Sequence, residues 1–185
     1  SMGNCLIMSS IVIAYLESKG LNARLSNNGD DCVVMCERRD EHMMSDISSW
    51  FRDFGFKLTI EPTVDIFEKI EFCQTQPVCV NGTYRMVRNP YIASSKDCVS
   101  LLPGDNIGQF NDWRNAIGRC GLELTRGVPF WEKFYTRLSV GETRDYADEK
   151  ISDSGLGYMS KGCVQQPMHW STRVSFYQAF GMLPD

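Results

Sequence analysis

An α+β fold is predicted for this 185-residue chain, with antiparallel pairing and packed helices in the first part and mostly helix in the second. Three observations carry that expectation. Two Asn-Gly dipeptides, Asn28-Gly29 and Asn81-Gly82, lie between short strand-like stretches, which is a strong hairpin signal. Apolar residues recur at helical spacing before, between and after those hairpins. Near Pro90 the pattern changes from strand-bearing to helix-bearing, which divides the chain into residues 1–90 and 91–185.

The elements follow in order. Met2 to Lys19 reads as a helix because Ile7, Ile11 and Tyr15 recur every fourth residue, and Gly20 supplies the stop. Residues 23–27 and 32–36 are the strands of the first hairpin, turning at Asn28-Gly29. Ser45 or Asp46 caps a helix through Phe54, closed by Gly55. Residues 56–60 read as a further strand ended by Pro62, and residues 69–73 pair with 84–88 around Asn81-Gly82. Beyond Pro90, Asp105 caps a helix with Ile107, Phe110, Trp113, Ile117 and Cys120 on one side, closed by Gly121. Pro129 suits the first turn of a helix carrying Trp131, Phe134, Tyr135 and Leu138 up to Gly141. Polar, glycine-bearing residues 141–162 read as a surface connection. Ser171 caps a last helix holding Val174, Tyr177 and Phe180, with Gly181 and Pro184 beyond it.

Composition narrows the classes. Apolar residues at 43% and charged residues at 23% are ordinary for a globular chain, so neither a disordered segment nor a fibre is indicated. The net charge of −4 argues against a free-standing nucleic-acid-binding domain, unless the basic surface belongs to other segments. Eight cysteines are present without a C-x-x-C pair, and the two histidines, His42 and His169, lie far apart, so zinc-finger spacing is missing. Cys5 and Cys32 sit in apolar runs where a reduced thiol behaves as a small hydrophobe, which points to a reducing compartment. The apolar stretch 5–16 has no basic segment before it, no cleavage pattern after it and too little length to span a bilayer. A buried helix is the better reading, with neither signal peptide nor transmembrane segment.

The residues that carry chemistry are Asn28-Gly29-Asp30-Asp31. Two adjacent carboxylates at a hairpin tip repel one another, and a divalent cation relieves that repulsion. Magnesium (or manganese) prefers carboxylate oxygen and shares its remaining shell with waters and substrate phosphates. The plain alternative is that Asn, Gly and Asp stand here because they favour turns. An EF-hand is excluded by the order of acidic residues and glycine.

Gly3-Asn4 opens the first helix upstream of that tip, and the order of Asn-bearing helix, strand, Gly-Asp-Asp turn and strand resembles the palm of RNA-directed RNA polymerases. It is most similar to those of plus-strand RNA viruses of the tombusvirus-like group. That family's helix motif reads Ser-Gly-x-x-x-Thr-x-x-x-Asn, and Ser1-Met2-Gly3-Asn4 matches its last four positions. The resemblance continues through residues 68–77, which look like the motif E hairpin, and through Met86-Val87-Arg88-Asn89-Pro90, Ser95-Lys96-Asp97 and residues 172–181. These blocks span nearly the whole chain in the family's order.

The resemblance implies a partial right-hand polymerase, with the end of motif B and motifs C, D and E in a palm at 1–90 and a thumb at 91–185. It implies that Asp30 and Asp31 are catalytic metal-binding residues, and that Asn4 and Gly29 contact the nucleotide, Asn4 through the ribose 2′-hydroxyl. Lys57 is the motif D candidate for protonating pyrophosphate; a solvated strand-edge lysine is the alternative. Phe72, Cys73 and Gln74 are expected to support the RNA 3′ end, with Arg88 and Lys96 as phosphate contacts or solvated cations. The implied partners are RNA template and product, nucleoside triphosphates, and the fingers and motif A aspartate of the same polymerase. Those segments are expected before residue 1, so that Ser1 reads as a cut and the fragment as inactive alone. The implied setting is the host cytoplasm, in membrane-associated replication complexes whose membrane contact lies in other segments. Two alternatives stand beside this: a reverse transcriptase or related palm polymerase, which Gly29 disfavours, and a non-catalytic interaction module with an acidic hairpin.

Overall fold

The computed structural model describes residues 2–99, 106–139 and 167–183. Its architecture is α+β, and the chain forms two compact units, Ser1–Asp65 and Ile66–Asp185. That division falls between Asp65 and Ile66, upstream of the boundary read at Pro90. Pro90 is buried within the second unit, where Asn89 caps a helix by accepting a hydrogen bond from the Tyr91 amide.

In the first unit, helix α1 (Met2–Lys19) leads into strands β1 (Ala23–Asn28) and β2 (Asp31–Cys36), then a 3-10 segment (Arg38–Met44) and helix α2 (Ile47–Asp53). The strands pair antiparallel from Ala23↔Cys36 to Asn28↔Asp31. Alternation along β1 turns Ala23, Leu25 and Asn27 inward, the register that a half-buried strand needs. The core joins Ile11, Val12, Tyr15 and Leu16 of α1 to Ile47 and Phe51 of α2, with Leu25, Cys32 and Val34 of the hairpin packed against it. Trp50 fastens α2 to α1 by donating its indole N–H to the Ile11 carbonyl at 3.1 Å.

Residues 56–60, expected as a strand, are irregular. Strand propensity requires a ladder partner to act on, and the β1–β2 sheet has two strands only among the described residues. Phe56 and Ile60 are exposed, and Leu58 alone of this run touches the core.

The second unit holds a 3-10 turn (Phe67–Lys69), strands β3 (Thr75–Val80) and β4 (Thr83–Arg88), and helices α3 (Pro90–Asp97), α4 (Ile107–Thr125), α5 (Trp131–Leu138) and α6 (Trp170–Phe180). The first strand of this hairpin begins at Thr75, whereas residues 69–73 were expected to form it. The two-residue loop Asn81-Gly82 sets Val80 opposite Thr83, which carries Thr75 opposite Arg88. Both loop residues have positive φ (49° and 82°), as the favoured hairpin turn requires. The core comprises Val78, Val80 and Val87 from the hairpin, Trp131 and Tyr135 from α5, and Phe176 and Ala179 from α6.

Several helix signals shift in detail. Asn106 caps α4 by accepting from the Gln109 amide, while Asp105 lies outside the described residues. Gly121 does not end α4, which runs on to Thr125. A Cβ there would overlap the Tyr135 ring, and one at Gly118 would overlap the backbone of Leu138 and Ser139, so both glycines permit close approach of α4 to α5. The face of α4 turned inward carries Asn115, Ala116, Gly118 and Gly121, while Ile107 and Phe110 are exposed. Pro129 stands before α5, with Phe130 as its N-cap residue at φ 62°. His169 rather than Ser171 caps α6, whose buried face is Thr172, Ser175, Phe176 and Ala179; Val174 and Tyr177 are exposed. Residues Ser1, 141–162 and Pro184, each given a reading above, lie outside the described residues. Among the described residues no helix is long and apolar enough to cross a membrane.

Candidate active site

The register of the first hairpin leaves Gly29 and Asp30 as its two-residue loop, with Asp31 the first residue of β2. Gly29 has φ +76°, and a positive φ at the first loop position is what such a turn demands. Gly29 is buried, while Asp30 and Asp31 are exposed. The reason lies in α1: the Gly29 amide donates to Cys5 Sγ at 2.8 Å. Asn27 completes the tip, its Nδ2 donating to the carbonyls of Gly29 at 3.1 Å and Asp31 at 3.2 Å. The loop is thus held from both sides, and its two carboxylates project from a braced backbone. Asn4, exposed and adjacent to Cys5 in α1, belongs to the same corner of the unit.

Behind this corner, Tyr15 spans from α1 to the start of α2. Its one hydroxyl proton is shared between the Met43 carbonyl at 2.7 Å and Asp46 Oδ1, and Lys19 pairs with Asp46 Oδ2 at 2.6 Å. Burial, reinforced by Asp46, pushes the Tyr15 phenol well above its ordinary range. The hydrogen bonds from Lys19 and then Tyr15 hold the Asp46 carboxyl below the usual carboxylate value. Asp46 thereby serves α1 rather than capping α2 through its side chain. Lys57 is exposed in the irregular stretch after α2, and among the described residues no hydrogen bond or ion pair links it to the tip.

The remaining predicted site residues belong to the second unit. Cys73 and Gln74 form a tight turn with φ of 52° and 60°, closed by a Phe72↔Thr75 bridge. Gln74 Oε1 accepts from Lys96 Nζ at 3.2 Å, which ties the turn to α3. Arg88 makes a two-pronged contact with Asp97 at 3.0 and 2.8 Å, and Asp97 also accepts from the Tyr135 hydroxyl. Desolvation, then Asp97, drives the Tyr135 phenol far above its ordinary range. In this arrangement Arg88 links β4, α3 and α5.

Sequence reasoning missed Cys5, Asn27 and Asp97. A signal existed for Asn27, a polar residue on the inward face of an alternating strand. Cys5 read only as a small hydrophobe, and nothing local marked its sulfur as an acceptor.

The donor chemistry of the tip fits a divalent cation. Hard carboxylate oxygens suit magnesium or manganese, and among the described residues neither Asp30 nor Asp31 enters an ion pair. The described residues contain no group of three His, Cys, Asp or Glu side chains able to hold a metal ion.

The family model described as viral RNA dependent RNA polymerase matches residues 1–185. This chain belongs to that polymerase family. It is 43% identical over 190 residues to the RNA-directed RNA polymerase of Tobacco necrosis virus (strain A), covering 100% of this chain and 26% of that protein. The polymerase of Melon necrotic spot virus is 40% identical, with 100% and 24% covered, and that of Maize chlorotic mottle virus 35%, with 100% and 20% covered. No solved structure matches the chain. The chain therefore spans about a quarter of the length of the curated polymerases it matches. Membership of the RNA-dependent RNA polymerases sets aside the reverse-transcriptase alternative.

Proposed function

We propose that this chain supplies the Gly-Asp-Asp tip of an RNA-directed RNA polymerase, which adds ribonucleotides to an RNA 3′ end under the direction of an RNA template. The observation that supports this best is the braced tip: Gly29 docked on Cys5, the neighbour of Asn4 in α1, Asn27 bridging the turn, and Asp30 and Asp31 exposed. In the reaction the terminal 3′-hydroxyl attacks the α-phosphate of a nucleoside triphosphate, forming a new phosphodiester and releasing pyrophosphate. Asp30 and Asp31 would hold magnesium or manganese, Asp31 more weakly. A bound divalent cation supplies charge neutralisation to the phosphate oxygens.

The chain's own residues take the other roles. Asn4 reads the ribose 2′-hydroxyl, the group that distinguishes RNA from DNA. The Gly29 backbone keeps the tip close to the nucleotide. Lys57 carries the proton to departing pyrophosphate. Phe72, Cys73 and Gln74 support the RNA 3′ end. Arg88 acts through Asp97, and Lys96 through Gln74, in shaping the surface that RNA meets. Residues 1–90 serve as palm and 91–185 as thumb, with fingers and a further metal-binding aspartate contributed by the rest of the polymerase. Replication in the host cytoplasm, on membranes engaged by other segments, belongs to the same reading.

Ribonucleotide incorporation on an RNA template by the full polymerase, with and without magnesium, tests the proposal. Template-dependent, magnesium-dependent incorporation is expected, and Asn4→Ala should narrow the preference for ribonucleotides over deoxyribonucleotides. No incorporation by a folded enzyme across templates and primers would overturn it.

A further inference from the structure

The turn at Phe72, Cys73 and Gln74 has a backbone that its residues do not favour. Both central residues, Cys73 and Gln74, hold positive φ although neither is glycine. Such a conformation persists only where the surroundings over-determine it. The local bonds are a start: Phe72 and Thr75 exchange backbone hydrogen bonds at 2.9 and 3.0 Å, and Thr75 Oγ1 donates to the Phe72 carbonyl at 2.6 Å.

The larger restraint comes from α6. Glu68, just before the turn, is a carboxyl side chain at 8% exposure, and acidic residues are seldom buried without partners. Its Oε1 accepts from Ser175 Oγ of α6 at 2.9 Å and from the Tyr84 hydroxyl of β4 at 3.3 Å. Ser175 Oγ in turn accepts the Cys79 amide of β3 at 2.8 Å. Just after the turn, Gln76 Nε2 donates to the Ala179 carbonyl of α6 at 2.9 Å and to the Glu68 carbonyl at 3.3 Å. Both ends of the segment that carries the turn are therefore fastened to one helix. Apolar side chains would bury this seam without the cost of desolvating polar groups, so what the polar pair adds is a single allowed placement.

We propose that Glu68 and Ser175 are positioning residues, a buried brace by which α6 holds the turn at Phe72, Cys73 and Gln74 in the geometry that supports the RNA 3′ end. The proposal rests on the reading of that turn as an RNA contact. Glu68 and Ser175 themselves touch no substrate; they act through the turn.

The test measures KM for a primer–template RNA, KM for nucleoside triphosphate, and kcat in the full polymerase. Glu68→Ala and Ser175→Ala should each raise the RNA KM about tenfold, the scale of losing a buried hydrogen-bonding partner. The nucleotide KM and kcat at saturating RNA should stay within about twofold, since a contact that holds RNA equally in the ground and transition states affects the RNA KM alone. Glu68→Gln, whose amide oxygen still accepts both hydroxyls, should restore the RNA KM. If Glu68→Ala does not fold, Ser175→Ala carries the comparison. An unchanged RNA KM in folded variants, a parallel rise in both KM values, or a Gln variant as damaged as the Ala variant would each overturn the brace. Phe72→Ala and Gln74→Ala separate the two levels. If they leave the RNA KM unchanged, the reading of the turn as an RNA contact fails. If they raise it while Glu68→Ala and Ser175→Ala do not, the brace alone fails.

Discussion

The two hairpins of this chain share a plan and differ in what surrounds them. Each has six-residue strands joined by a two-residue loop with glycine at positive φ. The first spends its surroundings on the loop: a thiol, an asparagine side chain and a glycine amide hold the tip and leave two carboxylates facing outward. The second spends most of them on the strands, with Val78 and Val80 fully buried and Ser175 of α6 bonded to a β3 amide, while Asn81 of its loop donates to the Pro167 carbonyl at 3.1 Å. A hairpin can thus be an instrument or a foundation, and the choice lies in where the neighbouring helix makes its polar contacts. In the first unit α1 bonds the loop; in the second α6 bonds the strand.

The contrast has consequences of different size. Trp131 is almost fully buried against Val78 and Val87, and its indole N–H donates to the Arg88 carbonyl at 3.0 Å. Trp131→Ala should cost about 3–5 kcal/mol of stability, measured by denaturant unfolding, as large aromatic truncations in cores do. The same loss should follow from no single substitution at the exposed tip of the first hairpin.

The loop glycines give a smaller and sharper comparison. Gly29→Ala and Gly82→Ala each place a side chain at positive φ, +76° and +82°. Each should destabilise by about 1 kcal/mol from backbone strain. Only Gly29→Ala should also lower nucleotide incorporation, because its loop carries Asp30. Equal effects on incorporation would erase the functional distinction between the hairpins.

The smallest effect concerns pH. The Asp46 carboxyl sits below its ordinary pKa because Lys19 and Tyr15 bond the ionised form. A depressed folded-state pKa contributes stability that is complete above the unfolded value and is lost as pH falls through the folded one. Asp46→Asn should therefore lower the melting temperature near neutrality, and the gap to the unaltered protein should close below about pH 4. A gap that persists or widens in acid would contradict the assigned cause.

Much of the fold could be read from the residues alone, and the reasons are physical. The helix Met2–Lys19 and the turn at Asn81-Gly82 were visible because Asn-Gly and glycine stops act locally, whereas the first hairpin turns one residue later than Asn28-Gly29, at Gly29-Asp30. The strand start at Thr75 was hidden because hairpin register propagates from the loop, whereas the apolar residues at 69–73 lie outside it. Gly121 read as a stop although its role is to admit the Tyr135 ring, a contact between helices that no local pattern encodes. Faces of α4 and α6 were misjudged for a related reason. Small and polar residues such as Gly118, Thr172 and Ser175 fill tight seams, while Ile107 and Val174 stay exposed. At the candidate site the acidic tip was legible from Gly29-Asp30-Asp31, but its supports were not. Cys5 acts through one hydrogen bond whose partner depends on how the hairpin meets α1, and Asn27 through two bonds within the turn that only its inward place in β1 hinted at.

The central claim is that chemistry resides in the first hairpin's tip. Its most direct test is nucleotide incorporation by the full polymerase carrying Asp30→Asn, with thermal unfolding followed on the same sample. The account predicts incorporation reduced to background with a melting temperature shifted by little, since an exposed substitution typically changes stability by no more than about 0.5 kcal/mol. Incorporation at the unaltered rate by the folded variant would contradict it.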